Sequence, residues 1–412
     1  MENRVIVGLD IGTTKVCAVI GQKNEYNELM ILGVGVAPSY GLRRGVIVNI
    51  DSTTDAITHA VEEAELMAGV DVTSMYIGIT GNHIKGMNSR GVIAVSSKNR
   101  EVTDREVERV IEAAQAINLP TDKEIIHVIP WEFIIDEQDG IKDPYGMSGV
   151  RLEVDAHIVT GASTAIQNIT KSVKRAGFDV QDFVLNSLAS AEAVLTDDEK
   201  EIGIILLDIG GGTTDAILFV NGSIRYSAVF PVGGKHITKD ISIGLKIPDN
   251  VAEKIKLENG CSSVELINPD AELEIPSVGG RKPKVVPYVN LCQIIEPRVE
   301  EIIDIVYRDM VRKNVLDLAQ GGVVITGGTA LLNGIEIVAE KVFNLPVRTA
   351  LPENVSGLKD KISSPVFSTA AGLVLYGLRE ESVGYHEGQQ QKNNIFKRMK
   401  NSISEFTKEF FA

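Results

Sequence analysis

Leu206-Leu207-Asp208-Ile209-Gly210-Gly211-Gly212-Thr213-Thr214-Asp215 is the stretch on which the fold turns. Apolar residues lead into an aspartate, three glycines, two threonines and a second aspartate. Ala216-Ile217-Leu218-Phe219-Val220 follows, and Asn221-Gly222 closes the run. Apolar run, glycine turn, apolar run predicts a β-hairpin. Glycine reaches positive φ and carries no Cβ to hold a ligand away. Such a turn offers backbone N–H groups, and its threonines offer hydroxyls, to phosphate oxygens. A second copy stands near the N-terminus, Gly8-Leu9-Asp10-Ile11-Gly12-Thr13-Thr14-Lys15, continued by Val16-Cys17-Ala18-Val19-Ile20-Gly21. The chain is therefore expected to consist of two similar halves, each presenting an Asp-Ile-Gly hairpin.

Its 412 residues suggest two or more domains with sizeable cores. Apolar and charged fractions of 44% and 24% are those of an ordinary soluble protein. A net charge of −15 argues against nucleic acid as a partner. Cys17, Cys261 and Cys292 are scattered without metal-ligand spacing, which suits buried free thiols in a reducing compartment. The start Met1-Glu2-Asn3-Arg4 leads straight into a strand, and no apolar run reaches transmembrane length, so a cytoplasmic chain is expected.

Working outward, Leu29 to Val36 reads as a strand, and Asp51 is placed to cap a helix using Ala56, Ile57, Ala60, Val61, Ala64 and Met67. From about His83 the texture changes. A strand at Gly91–Val95, a capping box at Thr103–Glu106, a strand at Glu124–Ile135 and a polar loop at Asp136–Gly149 predict a small inserted α+β unit. Ser187–Leu195 and Ser368–Leu378 are helices of small residues, suited to close packing where two domains cross. Glu296-Pro297-Arg298 is expected to open a long helix. Gly322–Leu332 reads as strand, glycine turn and helix, and Glu380 to Asn393 as a flexible linker.

Three glycine turns fit one nucleotide. The two hairpins would clamp its phosphates through Gly12, Thr13, Thr14 and through Gly210, Gly211, Gly212, Thr213, Thr214, while Gly327 and Gly328 would line the adenosine. Asp10 and Asp208 would hold Mg²⁺ through water, the usual mode for this hydrated ion. Lys15 would add positive charge beside the phosphates. No glycine loop carries the Gly-Lys-Ser/Thr of a P-loop, and the loops lead into strands rather than helices, which excludes a dinucleotide fingerprint. One Asp-Ile-Gly turn would be an ordinary hairpin. Two copies, a Thr-Gly-Gly turn and two small-residue helices argue for a ligand.

These segments resemble those of the actin/Hsp70/sugar-kinase superfamily, with phosphate segments at 8–21 and 206–222, an adenosine segment at 322–335, and connecting helices at 186–196 and 364–378. Within it the chain is similar to the bacterial cell-division FtsA family over essentially its whole length. Val232-Gly233-Gly234, Ala252-Glu253-Lys254-Ile255-Lys256, Ile295-Glu296-Pro297-Arg298 and Val324-Ile325-Thr326-Gly327-Gly328 carry that likeness, together with the insertion. The resemblance implies an α/β, actin-like duplicated fold with two lobes around a nucleotide cleft. The first lobe would comprise 1–82 and 163–196, with 364–380 packed back on it, and the inserted subdomain 83–162. The second would comprise 197–236 and 311–363, with a subdomain at 237–310. It also implies ATP as ligand, with Gly233, Gly234, Glu253, Lys256 and Thr329 joining the nucleotide site. Self-assembly into an actin-like polymer is implied too, as is binding of the FtsZ C-terminal tail near Arg298 and recruitment of later cell-division proteins. Glu192 is a candidate for positioning water or Mg²⁺ by position alone, and any ATP hydrolysis is expected to be slow.

The family also ends in a linker, here 381–393, and a membrane-targeting helix, here 394–412. The residues bear on this directly. At about 100° per residue, Ile395, Phe396, Met399, Ile403, Phe406 and Phe410 share an arc of about 100°. Five basic side chains (Lys392, Lys397, Arg398, Lys400, Lys408) stand against two acidic ones (Glu405, Glu409) in this acidic chain. A basic amphipathic helix of this kind is expected to lie on an anionic membrane surface rather than cross it. A small-molecule kinase would have no use for such a tail, and an Hsp70-like chaperone would need a further domain after Leu378. A pilus-assembly scaffold shares the insertion but is not expected to end this way. The histidines, including His83, His127 and His157, show no metal spacing, and Trp131 is expected to pack within the insertion.

Overall fold

The structure is a computed structural model and describes residues 5–384, apart from 25–27, 98, 277–282 and 354. The membrane-helix residues expected at 394–412, and most of the linker, lie outside the described residues.

The first half begins with an antiparallel meander of β1 (Ile6–Ile11), β2 (Lys15–Lys23) and β3 (Leu29–Pro38). A short ribbon, β4 (Leu42–Arg43) and β5 (Val46–Ile47), leads to α1 (Ile50–Ala68). β6 (Ser74–Ile79) then joins β1 in parallel. Asn49, rather than Asp51, caps α1. Asn49 has extended backbone and its side chain accepts from the Ser52 N–H at 3.0 Å, whereas Asp51 already lies inside the helix and pairs with Arg175 at 2.8 Å.

The insertion is a sheet of β7 (Lys85–Ala94), β8 (Lys123–Ile135), β9 (Gln138–Ile141) and β10 (Arg151–Ala162), with α2 (Asp104–Gln115) packed on it. The polar loop expected at 136–149 thus contains a strand. The expected capping box does not close, because the Thr103 hydroxyl donates to the Glu106 carboxylate instead of accepting from the helix backbone. Although the insertion belongs to the first half by sequence, it also touches the second. His157 bridges Asn88 (2.6 Å) and Ser227 (2.8 Å), Asn88 donates to the Arg225 carbonyl (3.2 Å), and the Arg225 guanidinium stacks on Trp131 at 4.5 Å. Burial holds the His157 imidazole down at about 4, so it is neutral at pH 7.

The chain returns through α3 (Ser163–Arg175) to β11 (Asp179–Leu185), parallel to β6, and crosses over by α4 (Asn186–Val194). After α5 (Asp197–Ile202), the second half repeats the meander as β12 (Ile204–Ile209), β13 (Thr214–Val220) and β14 (Ser223–Phe230). A subdomain follows: α6 (Gly234–Leu245), α7 (Asp249–Asn259), the β15 (Glu272–Ile275) and β16 (Lys284–Pro287) ribbon, and α8 (Tyr288–Arg312). β17 (Val323–Thr326), α9 (Ile335–Phe343) and β18 (Val347–Thr349) complete the second sheet. β19 (Val355–Gly357), α10 (Lys359–Ile362) and α11 (Ser368–Gly384) end the described chain.

The two halves share one strand order. The sheets run β3-β2-β1-β6-β11 and β14-β13-β12-β17-β18, with the first strand of each meander parallel to the fourth strand of its half. The extra units enter at different points, after the fourth strand in the first half and between the third and fourth in the second. β19 pairs with β3, so residues 355–357 belong to the first sheet and not to the second lobe as expected.

α8 begins at Tyr288, with Pro297 inside it rather than at its start. The proline removes one backbone hydrogen bond. The helix continues because one apolar stripe, Leu291, Ile295, Val299, Ile302, Val306 and Met310, holds both sides of the proline on the second-lobe core. β12 is buried on both faces. Ile205, Leu207 and Ile209 face that core, while Ile204 and Leu206 face the first-lobe core beside α4 and α11. The small residues of α4 and α11 let the two helices touch: a Cβ on Gly372 would lie 1.7 Å from the Ala189 carbonyl oxygen. The region from Glu380 is not yet linker, since α11 runs on to Gly384.

Candidate functional site

The two hairpins superpose residue for residue in their pairing. Asp10 faces Cys17 and Ile11 faces Val16 in the first; Asp208 faces Asp215 and Ile209 faces Thr214 in the second. Each turn is closed by the same backbone bond, Gly12 N–H to the Lys15 carbonyl and Gly210 N–H to the Thr213 carbonyl, both 2.9 Å.

The two loops, expected from the sequence to share one ligand, meet. An added Cβ on Gly211 would lie 2.1 Å from Thr14 Oγ1, and one on Gly212 would lie 2.6 Å from Thr13 Oγ1. Only glycine allows this approach. The next turn docks beneath the second loop, with the Gly234 N–H bonded to the Gly210 carbonyl at 2.9 Å. Thr329 Oγ1 donates to the same carbonyl at 3.2 Å. Lys256 Nζ donates to the Gly234 carbonyl (3.2 Å), Thr238 Oγ1 (2.9 Å) and Glu253 Oε2 (2.8 Å). Gly233, Gly234, Glu253, Lys256 and Thr329 are thus assembled around one loop by α6, α7 and the turn after β17. Gly327 sits at φ +86° with its would-be Cβ 2.4 Å from Asp208 Oδ1, so a side chain there would meet the carboxylate.

Three carboxylates point into this region, and one of them, Asp215, was given no role from sequence. Burial raises the pKa of Asp10 against the pull of Lys15. It also raises Asp208, against hydrogen bonds from Ser190 (2.6 Å) and Thr369 (3.0 Å). Asp215 reaches about 8, through burial first and then the Asp208 charge beside it. Thr80, just past β6, donates to Asp215 at 2.6 Å. Ser190 lies on α4 and Thr369 on α11, so both crossing helices hold Asp208.

The residues present fit a polyphosphate with a divalent cation. Buried carboxylates with raised pKa values form a site that a cation would relieve. Lys15 Nζ lies 3.8 Å from Asp10 Oδ2, too far for a hydrogen bond. It is a buried donor without a hydrogen-bond partner among the described residues, as an anion-binding ammonium would be. The loops supply N–H groups with no Cβ in the way. Among the described residues no three His, Cys, Asp or Glu side chains converge as direct metal ligands.

Other expected residues are placed elsewhere. Glu192 is two residues past Ser190, so it leaves α4 on nearly the opposite face. Its carboxylate bonds Arg379 at 2.9 Å and lies 3.8 Å from Lys200. Burial works to raise its pKa, but these two cations hold it below the ordinary range. It is not turned toward Asp208. Arg298 is part-exposed on α8 and engages Asp240 and Glu301.

The duplicated sheets, the facing hairpins and the crossing helices define an actin-like fold. Solved structures agree on the fold. The PilM–PilN type IV pilus biogenesis complex matches with a TM-score of 0.66 at 16% identity, over 90% of this chain and 98% of that one. MreB5 of Spiroplasma citri bound to ADP matches with a TM-score of 0.56 at 16% identity, over 94% and 100%. Family models match as cell division protein FtsA over residues 205–372 and as the SHS2 domain inserted in FtsA over 81–160. The chain is 44% identical to the cell division protein FtsA of Pseudomonas aeruginosa, covering 93% of this chain and 91% of the relative. It is 42% identical to that of Borreliella burgdorferi, over 100% and 99%, and 36% identical to that of Escherichia coli K12, over 95% and 94%. The chain belongs to the FtsA family of cell-division proteins.

Proposed function

We propose that the chain binds ATP with Mg²⁺ between its lobes, assembles with copies of itself, and tethers FtsZ filaments to the cytoplasmic face of the membrane at the division septum. The observation that carries the nucleotide part is the meeting of the two matched hairpins, with the Lys15 ammonium buried beside them. In this reading Gly12–Thr14 and Gly210–Thr214 hold the phosphates from opposite sides. Asp10 and Asp208 hold Mg²⁺ through its water shell, and the ion supplies the positive charge that two buried carboxylates and a polyphosphate need. Gly327, Gly328 and Thr329 line the adenosine, with Glu253 and Lys256 across from them. ADP bound to MreB5, an actin-like structure, supports the ligand class.

Membrane attachment falls to residues 394–412, through Ile395, Phe396, Met399, Ile403, Phe406 and Phe410. Among the described residues no helix is long and apolar enough to cross a membrane. One amphipathic helix binds weakly, and many displayed on a polymer bind strongly. The FtsZ tail would dock in the 237–310 subdomain near Arg298, and later division proteins on the 83–162 insertion. Co-sedimentation with anionic liposomes tests this, using the full chain and a chain ending at residue 393, each with ATP and FtsZ. The full chain should pellet and bring FtsZ with it, and the shortened one should not. A full chain that stays in the supernatant and ignores FtsZ would refute the proposal.

A further inference from the structure

Lys235 follows the Gly233-Gly234 turn as the second residue of α6, and nothing in its sequence position singled it out. Its backbone N–H donates to the Gly211 carbonyl at 2.8 Å, which fixes its Cα against the second hairpin loop. Its side chain then reaches across to the first loop, where Nζ donates to the Thr13 carbonyl at 2.8 Å. One residue therefore spans both loops. The ammonium stands where anything held by Gly12–Thr14 and Gly210–Thr213 together must pass close to it.

The partner it has there is a neutral carbonyl, a weaker acceptor for an ammonium than an anionic oxygen. Burial lowers the pKa of Lys235; the Glu253 carboxylate works against this, and the Lys256 charge adds to it. An anion arriving between the loops would offset both the burial and the Lys256 charge. The residue is exposed along part of its length, so the side chain has room to swing. Lys15 approaches the same region from the first lobe, its Nζ buried 3.8 Å from Asp10 Oδ2 and without a hydrogen-bond partner among the described residues. Two ammonium groups from opposite lobes thus converge on the hairpin turns, a charge arrangement that suits a polyphosphate and not an uncharged nucleoside.

We propose that Lys235 is a phosphate ligand of the nucleotide site, exchanging the Thr13 carbonyl for a phosphate oxygen and setting the preference for a nucleoside polyphosphate over a nucleoside. This rests on the nucleotide reading given above. The test uses the full chain, with ATP and ADP titrated by calorimetry and adenosine followed by ligand-observed NMR, which reads weak binding. Lys235→Met should weaken ATP roughly 10- to 100-fold, the worth of one charge-assisted hydrogen bond. Adenosine affinity should stay within about twofold, because no contact to the base or ribose changes. Lys235→Arg, which keeps the cation, should recover most of the ATP affinity. ATP binding unchanged in Lys235→Met overturns the inference, and so does an equal loss for ATP and adenosine, which would mark a general distortion. Should Lys235→Met melt early, Lys235→Gln provides the same comparison. A wild-type chain that binds neither ATP nor ADP would instead sink the nucleotide reading itself.

Discussion

Thr80 and Asp215 join the lobes, the hydroxyl just past β6 donating at 2.6 Å to the carboxyl on β13. Asp215 is also the point where the duplication breaks, since the matching position in the first hairpin is Cys17. The consequence is a pH dependence. The Asp215 pKa is about 8 in the fold against 3.8 for the ordinary side chain. Between those values the folded chain holds a proton that the unfolded chain has released. The contribution to stability is full below the lower value and is lost as pH rises through the upper one. Asp215→Asn keeps an oxygen for Thr80 and removes the buried charge. It should be more stable than wild type at pH 8, by up to about 5 kcal/mol, and should match it near pH 4. Urea unfolding at pH 4, 6 and 8 reads this out. A variant with the wild-type slope across that range would show that Asp215 does not carry the proton.

Glu192 and Arg379 form an ion pair with Lys200 beside it, tying α11 to α4. Removing one partner leaves a charge largely shielded from water. Arg379→Met should cost about 2–3 kcal/mol in denaturant unfolding, and adding Glu192→Met should return much of that loss. Glu192→Gln should leave ATP affinity within about twofold, since its carboxylate is turned away from Asp208. A tenfold loss of ATP binding in Glu192→Gln would place that residue back in the site.

The contact of Gly372 with the Ala189 carbonyl, where an added Cβ would approach to 1.7 Å, cannot absorb a side chain without separating α4 from α11. Gly372→Val should destabilise the chain by about 2–3 kcal/mol or more, read by thermal melting. Because Ser190 and Thr369 lie on these same helices and hold Asp208, the variant should also lose ATP affinity. A stable variant with normal affinity would mean that the helices can part without consequence.

The hairpins were legible because a local pattern, Asp-Ile-Gly between apolar runs, determines a local structure. The chain repeats it, which also revealed the two halves. Lys15, the glycines and the threonines followed from that pattern. Asp215, Thr80 and Lys235 did not, for a physical reason: their importance comes from convergence across the two lobes, and nothing local marks it. Pro297 was misplaced because proline favours the first turn of a helix, while here a long apolar stripe carries the helix past it. The end of α11 was set too early because Arg379 looks like surface in sequence, yet its partner is Glu192, nearly two hundred residues away. The cap of α1 shifted from Asp51 to Asn49 by a difference of two residues that pattern alone does not resolve.

The insertion has a mechanical meaning. It leaves the first lobe between β6 and α3, yet His157 and Asn88 grip β14, the neighbour of the strand that carries Asp215. The lobes are therefore joined by the crossing helices on one side and by this module on another. A body hinged along one line swings freely, but a body tied at a second, separate place does not. Any opening of the cleft has to slide the Trp131–Arg225 stack, drag the whole module with the second lobe, or bend β7 and β10 at their roots. The module is thus a second tie between the lobes, separate from the crossing helices.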